Sequence, residues 1–129
     1  MPQLKTLDQV AVFSPQAFVR KRVWESAALH CNVYAFEPGQ QNAMHHHPNS
    51  DEVVMCWEGN GRAVIGNEVF ALRPRATLLV PAGVPHGYVN TDSTRRMIIT
   101  VVQCPQPVVH VADSPGDVAE LVRTLEARS

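Results

Sequence analysis

From Gly39 to Gly59 the chain reads GQQNAMHHHPNSDEVVMCWEG, which sets His45, His47 and Glu52 close together between two glycines. Imidazole nitrogens and a carboxylate oxygen at this spacing are the donors a borderline divalent metal takes, because neutral histidine and ionised glutamate offer lone pairs near neutral pH. Residues i and i+2 of an extended strand share a face, so His45 and His47 project to one side and His46 to the other, as a rim residue rather than a ligand. Pro48-Asn49-Ser50-Asp51 is a turn signal, beyond which Glu52 returns along the neighbouring segment.

Outward from this stretch the chain is short β-segments divided by turns. Leu7 to Phe13 and Phe18 to Trp24 alternate apolar and polar residues on either side of Ser14-Pro15, which predicts two N-terminal strands within residues 7–24. His30 to Phe36 is a third strand, with His30, Asn32, Tyr34 and Phe36 on one face. Glu52 to Trp57, Arg62 to Ile65, Glu68 to Leu72, Thr77 to Val80, His86 to Asn90 and Arg96 to Gln103 follow. Gly66-Asn67 has the composition of a two-residue hairpin loop. Only the tail changes period. Ser114-Pro115-Gly116-Asp117 ahead of Val118, Leu121, Val122 and Leu125 predicts an amphipathic helix over about 115–127. Strands at regular spacing with one terminal helix indicate an all-β sandwich or barrel in a single domain, its core over about 28–104.

Composition excludes several classes of function. Eleven basic and twelve acidic residues leave a formal net charge of -1, so no global field draws the chain to nucleic acid or anionic lipid. The basic run Arg20-Lys21-Arg22 reads as a solvated strand face or rim. No stretch reaches the ~20 apolar residues of a membrane span, and the N-terminal residues lack the apolar core of a signal peptide, so the expected location is the cytoplasm. Cys31, Cys56 and Cys104 are an odd number without a Cys-x-x-Cys pair. They argue against a disulfide framework or a thiolate zinc site and suit a reducing compartment.

The pattern resembles the cupin superfamily, whose motifs are written G(X)5HXH(X)3-4E(X)6G and G(X)5PXG(X)2H(X)3N. Gly39, His45, His47, Glu52 and Gly59 match the first motif throughout. Pro81, Gly83, His86 and Asn90 match the second, with Arg75 where its opening glycine belongs. The resemblance implies a double-stranded β-helix of the jelly-roll type with a short C-terminal α-helix, and a divalent transition metal bound by His45, His47, Glu52 and His86. Iron, manganese, nickel, zinc and copper all accept such donors, and the alternative is a metal-free barrel.

Face alternation sketches the surroundings. If Glu52 points inward, so do Val54 and Cys56; if His86 does, so do Tyr88 and Asn90; Tyr34 and Phe36 can add aromatic wall. These are the candidate substrate-binding residues, and Tyr88 and His30 the candidate proton carriers. His30 and His110 have no partner at recognisable spacing, and a surface or hydrogen-bonded structural role is expected for each. Cys56 reads as core filling. A metalloenzyme acting on an oxygen-bearing small molecule is one functional expectation, either a dioxygenase or a Lewis-acid isomerase, cyclase or lyase. A module that binds or senses a small molecule without turnover is the other. The partner is a small molecule in both cases, and exposed barrel edges with apolar N-terminal segments suggest a homodimer.

Overall fold

The computed structural model describes residues 2–128. A helical turn α1 (Leu7–Val10) precedes the strands β1 (Val19–Glu25), β2 (His30–Phe36), β3 (Ala43–His46), β4 (Asp51–Glu58), β5 (Gly61–Ile65), β6 (Glu68–Leu72), β7 (Thr77–Val80), β8 (His86–Val89), β9 (Met97–Cys104) and β10 (Val111–Asp117), and helix α2 (Val118–Glu126) closes the order. The strands form two antiparallel five-stranded sheets, β1-β2-β9-β4-β7 and β10-β3-β8-β5-β6. This is the double-stranded β-helix expected from the sequence, with its short C-terminal helix. No helix among the described residues is long and apolar enough to cross a membrane.

Alternation along β4 shows why the sheets close on each other. Glu52, Val54 and Cys56 are buried, whereas Asp51, Val53, Met55 and Trp57 face solvent, so one face of the sheet can leave water only by meeting a second sheet. Register then aligns the inner side chains in rows. Gln103 of β9 lies between His30 and Glu52, Val101 between Asn32 and Val54, and Ile99 between Tyr34 and Cys56. Tyr34, Phe36, Val54, Cys56, Tyr88 and Ile99 belong to one buried cluster. A smaller cluster forms where Val118 and Val122 of α2 cover Met44, Val64 and Val89 on the outside of the second sheet.

Three expectations about elements are corrected. Residues 7–10 form a helical turn rather than part of a strand, because the Gln9 side chain accepts from the Thr6 N–H at 2.9 Å and Ala11 N–H donates to the Leu7 carbonyl at 2.8 Å, a local closure available without a partner strand. The barrel does not end near 104: β10 pairs with β3 through Val111 opposite His46 and Ala112 opposite His45. The helix accordingly starts at Val118, not 115, with Asp117 as its cap accepting from the Glu120 N–H at 3.0 Å. Arg75, in the place of the second motif's glycine, holds φ at 80°. Its N–H donates to the Cys56 carbonyl at 2.8 Å, which keeps the turn the motif glycine would make.

Candidate metal centre

The fold brings His45, His47 and His86 together with their metal-ligating atoms within 4.8 Å of one another, all three buried. His45 and His86 are directly paired across β3 and β8, and His47 follows one residue beyond β3. The Gly83 N–H donates to the His47 carbonyl at 2.8 Å, tying the turn before His86 to the strand that carries the other two. Donors about 2.0–2.2 Å from a common ion are separated by roughly 3 Å when adjacent and 4 Å when opposite, so a group of this size can hold a metal ion.

Hydrogen bonds fix the tautomers. Nδ1 of His45 donates to the Ala43 carbonyl at 2.7 Å, Nδ1 of His47 to the Val109 carbonyl at 2.8 Å and Nδ1 of His86 to the Val84 carbonyl at 3.0 Å. A carbonyl only accepts, so each Nδ1 carries the proton and each Nε2 presents a lone pair inward. Nε2 of His86 is buried with no hydrogen-bond partner. It stands 3.3 Å from Glu52 Oε2, and with the proton on Nδ1 it has none to donate there. A buried polar atom left unpaired costs about 1–3 kcal/mol, a cost that a cation at the convergence point of the three rings would remove.

Glu52 completes the arrangement from the other sheet. Its Oε1 lies 3.4 Å from His47 Nε2, although the compact group consists of the three histidines alone. The Tyr88 hydroxyl donates to Oε2, and the Gln103 amide donates to Oε1 at 2.8 Å and to His47 Nε2 at 3.1 Å. Burial alone would raise the Glu52 carboxyl, but the facing His47, His86 and Tyr88 side chains hold it well below the usual carboxylate range. Burial brings His45 down to about 4. In His47 burial also works downward, yet the Glu52 carboxylate and the Val109 carbonyl turn the net shift upward. Burial and the Glu52 charge push the Tyr88 phenol well up, so its proton stays in place.

The structure separates the remaining candidates. Val54 and Tyr88 lie beside the carboxylate row, and the Tyr88 ring is 5.9 Å from the His86 ring. Of the other residues expected on a ligand cavity, Phe36, Cys56 and Asn90 are placed by the following contacts. Phe36 stacks on Phe18 at 5.2 Å, and the Cys56 thiol donates to the Glu58 carbonyl at 3.4 Å. Asn90 donates to the Phe36 and Arg95 carbonyls at 3.3 and 2.8 Å and accepts from the Asp92 N–H at 3.1 Å, so its amide is spent on holding the loop after β8. Side chains from both sheets fill that end of a small barrel. Tyr34 is buried but meets Tyr88 edge-on at 6.4 Å. His30 stays outside the histidine group, with Nε2 3.9 Å from Glu25 Oε2. His46 points away as expected, its Nδ1 donating to Asp113 Oδ2 at 2.9 Å.

Two residues at the centre were missed. Gln103 sits opposite Glu52 in the β4–β9 ladder, and the inward parity of its strand was the available signal. His110, expected on the surface or in a structural hydrogen bond, stacks on His45 with ring centroids 4.3 Å apart and planes 19° from parallel. Only the pairing of β10 with β3 brings it there, so spacing offered no clue.

A double-stranded β-helix whose inner face carries a buried three-histidine group able to hold a metal ion is a barrel of the cupin type. Residues 32–103 match the family model described as Cupin domain, and the chain belongs to that family. Protein TT1209 of Thermus thermophilus is 32% identical over 81% of this chain and 98% of its own, with a TM-score of 0.76. A conserved protein with a double-stranded β-helix domain from Klebsiella pneumoniae is 22% identical over 85% of this chain and 90% of its own, with a TM-score of 0.80. A sugar phosphate isomerase of the cupin superfamily from Silicibacter pomeroyi is 22% identical over 88% and 82%, with a TM-score of 0.71. The latter two likenesses concern the fold. No curated protein matches the chain in sequence.

Proposed function

We propose that this cupin is a mononuclear metalloenzyme for a small, oxygen-bearing organic molecule, with the ion held by His45, His47, His86 and Glu52. The observation that carries the reading is the convergence of three Nε2 lone pairs, one of them buried without a partner, beside an ionised carboxylate. When bound, a divalent ion supplies Lewis acidity to a coordinated oxygen or, if redox-active, access to dioxygen chemistry. The protein's own residues set the geometry. The three Nδ1–H groups anchor the imidazoles, and Tyr88 and Gln103 orient Glu52 so that its charge faces the histidines. Tyr88 keeps its proton, and Cys56 lies in the core, so neither is assigned as base or nucleophile. The filled interior favours a small ligand over a bulky one. The proposal includes self-association through the outer face of the first sheet, where Val53, Met55, Trp57 and Leu79 are exposed.

Protein purified without added metal is analysed for bound elements, then supplied with candidate catechols, diketones and flavonoids under oxygen-electrode and NMR observation. Bound metal with oxygen uptake supports the oxidative form. Bound metal with oxygen-independent conversion supports the Lewis-acid form. Bound metal and ligand without any product make the barrel a binding module, and no metal uptake by the native protein overturns the metal-centred reading.

A further inference from the structure

Gln103 ties together two parts of the centre that come from different sheets. It stands on β9 directly opposite Glu52 of β4 and is buried. Its amide nitrogen donates to Glu52 Oε1 at 2.8 Å and to His47 Nε2 at 3.1 Å. The carbonyl end of the amide cannot take that place, because a carboxylate oxygen and an unprotonated imidazole nitrogen both only accept. The two contacts therefore fix which end of Gln103 faces inward, with one N–H on each acceptor.

Those acceptors differ in capacity. A carboxylate oxygen has more than one lone pair and can keep the Gln103 bond while it also meets a cation. An imidazole Nε2 has a single lone pair in the ring plane. Nδ1 of His47 donates to the Val109 carbonyl at 2.8 Å, which leaves Nε2 as the nitrogen that could hold an ion, and Gln103 uses it. The proton of such a bond stands roughly 2 Å from its acceptor, about where a divalent ion binds imidazole. Amide and ion exclude each other there. His86 is the contrast, for its buried Nε2 has no hydrogen-bond partner among the described residues and nothing to release.

We infer that Gln103 is a positioning residue that competes with the ion for His47 and so lowers the affinity of the site for a divalent metal. The inference rests on the proposed metal site and adds what sets its occupancy. Metal binding breaks the Gln103–His47 hydrogen bond, whose net strength between neutral groups corresponds to about two- to tenfold in an equilibrium constant. The bond to Glu52 acts in the same sense, since a donor on the carboxylate draws charge from an oxygen that would face the cation. A site restrained in this way gives up its ion more readily than the same three imidazoles would without Gln103.

Gln103→Met and Gln103→Leu remove the donor and leave an apolar side chain of similar bulk. Calorimetric titrations with Mn(II) and Zn(II) at one pH are run on native protein and both variants, beside thermal melting of the metal-free samples. The variants are expected to bind the ion about two- to tenfold more tightly than the native protein, while melting at a lower temperature without it. A residue that merely supports the site would lose affinity and stability together. Affinity in the variants equal to or weaker than native therefore overturns the inference and leaves the metal site standing. Uptake by the variants alone supports the inference and removes the metal reading of the native protein, and no uptake by any of the three overturns both. If neither variant folds, NMR of isotope-labelled native protein replaces them. Scalar coupling between Gln103 Nε2 and His47 Nε2 through the shared proton is expected without metal and lost on Zn(II) binding. Coupling that is absent without metal, coupling that persists with Zn(II) bound, or no Zn(II) uptake overturns the inference.

Discussion

Burial separates the three cysteines and gives the residue scale its clearest chemical test. Cys104 is exposed and Cys31 half-buried, whereas Cys56 is buried. Burial pushes the Cys56 thiol up to about 11 and raises Cys31 as well. A raised pKa leaves less thiolate at any given pH, and thiolate is the species that reacts. At pH 8 the folded protein should therefore show fast modification of Cys104 and none of Cys56, with all three reacting in denaturant. Fast labelling of Cys56 in the folded protein, located by mass spectrometry, would contradict the packing described. The candidate ligand residues were legible at this scale because metal donors need fixed spacing: His45 and His47 at i and i+2, with Glu52 after a turn. His110 was not, since it reaches His45 only through strand pairing that no local pattern encodes, and Gln103 was signalled only by the inward parity of its strand.

Among the elements, α2 depends on a glycine that keeps a strand close beneath it. A Cβ on Gly87 would stand 2.4 Å from Val118 Cγ2 and 3.0 Å from Met44 Sδ. Met44 can shift, but Val118 is β-branched, fully buried and stiff about χ1. Gly87→Ala should then cost about 1–3 kcal/mol in denaturant unfolding, as overpacking of a core usually does. Adding Val118→Ala should recover part of that loss, because the two substitutions share one contact. An unchanged midpoint for Gly87→Ala would show that α2 does not pack as described. Strands β2, β5, β6 and β7 were legible because alternation and turn residues agree there. The turn α1 and strand β10 were not. Leu7 to Phe13 reads as a strand, but its first four residues, Leu-Asp-Gln-Val, close on themselves through Gln9, and β10 carries Ser114-Pro115-Gly116, a composition that reads as a turn. The ladder to β3 holds on either side of that stretch, at Val111 and Ala112 and again at Asp117, and shifts register across it.

The whole molecule presents an apolar surface on the outside of the first sheet. Leu79 is 62% exposed and paired with Val53, and Met55 and Trp57 lie further along the same strand face. Apolar side chains grouped in this way mark contact surfaces more often than isolated ones do. The chain should run as a dimer in light scattering at micromolar concentration, and Leu79→Lys with Met55→Lys should make it monomeric; a monomeric native protein would contradict the assembly. The jelly-roll architecture was legible from the two motifs and the spacing of the turns, but the facing rows of side chains came only with the register. Those rows bring Glu52 from one sheet to the histidines of the other, so a metal ion would tie the two sheets together and stabilise the native state over the unfolded chain. The most direct measurement is the thermal melting of native and His86→Ala protein with and without saturating Mn(II), alongside bound-metal analysis. A metal-dependent rise in Tm with a single ion per chain in the native protein, both lost in His86→Ala, is the predicted result. Equal melting with and without metal in the native protein, and no ion retained, would contradict the account.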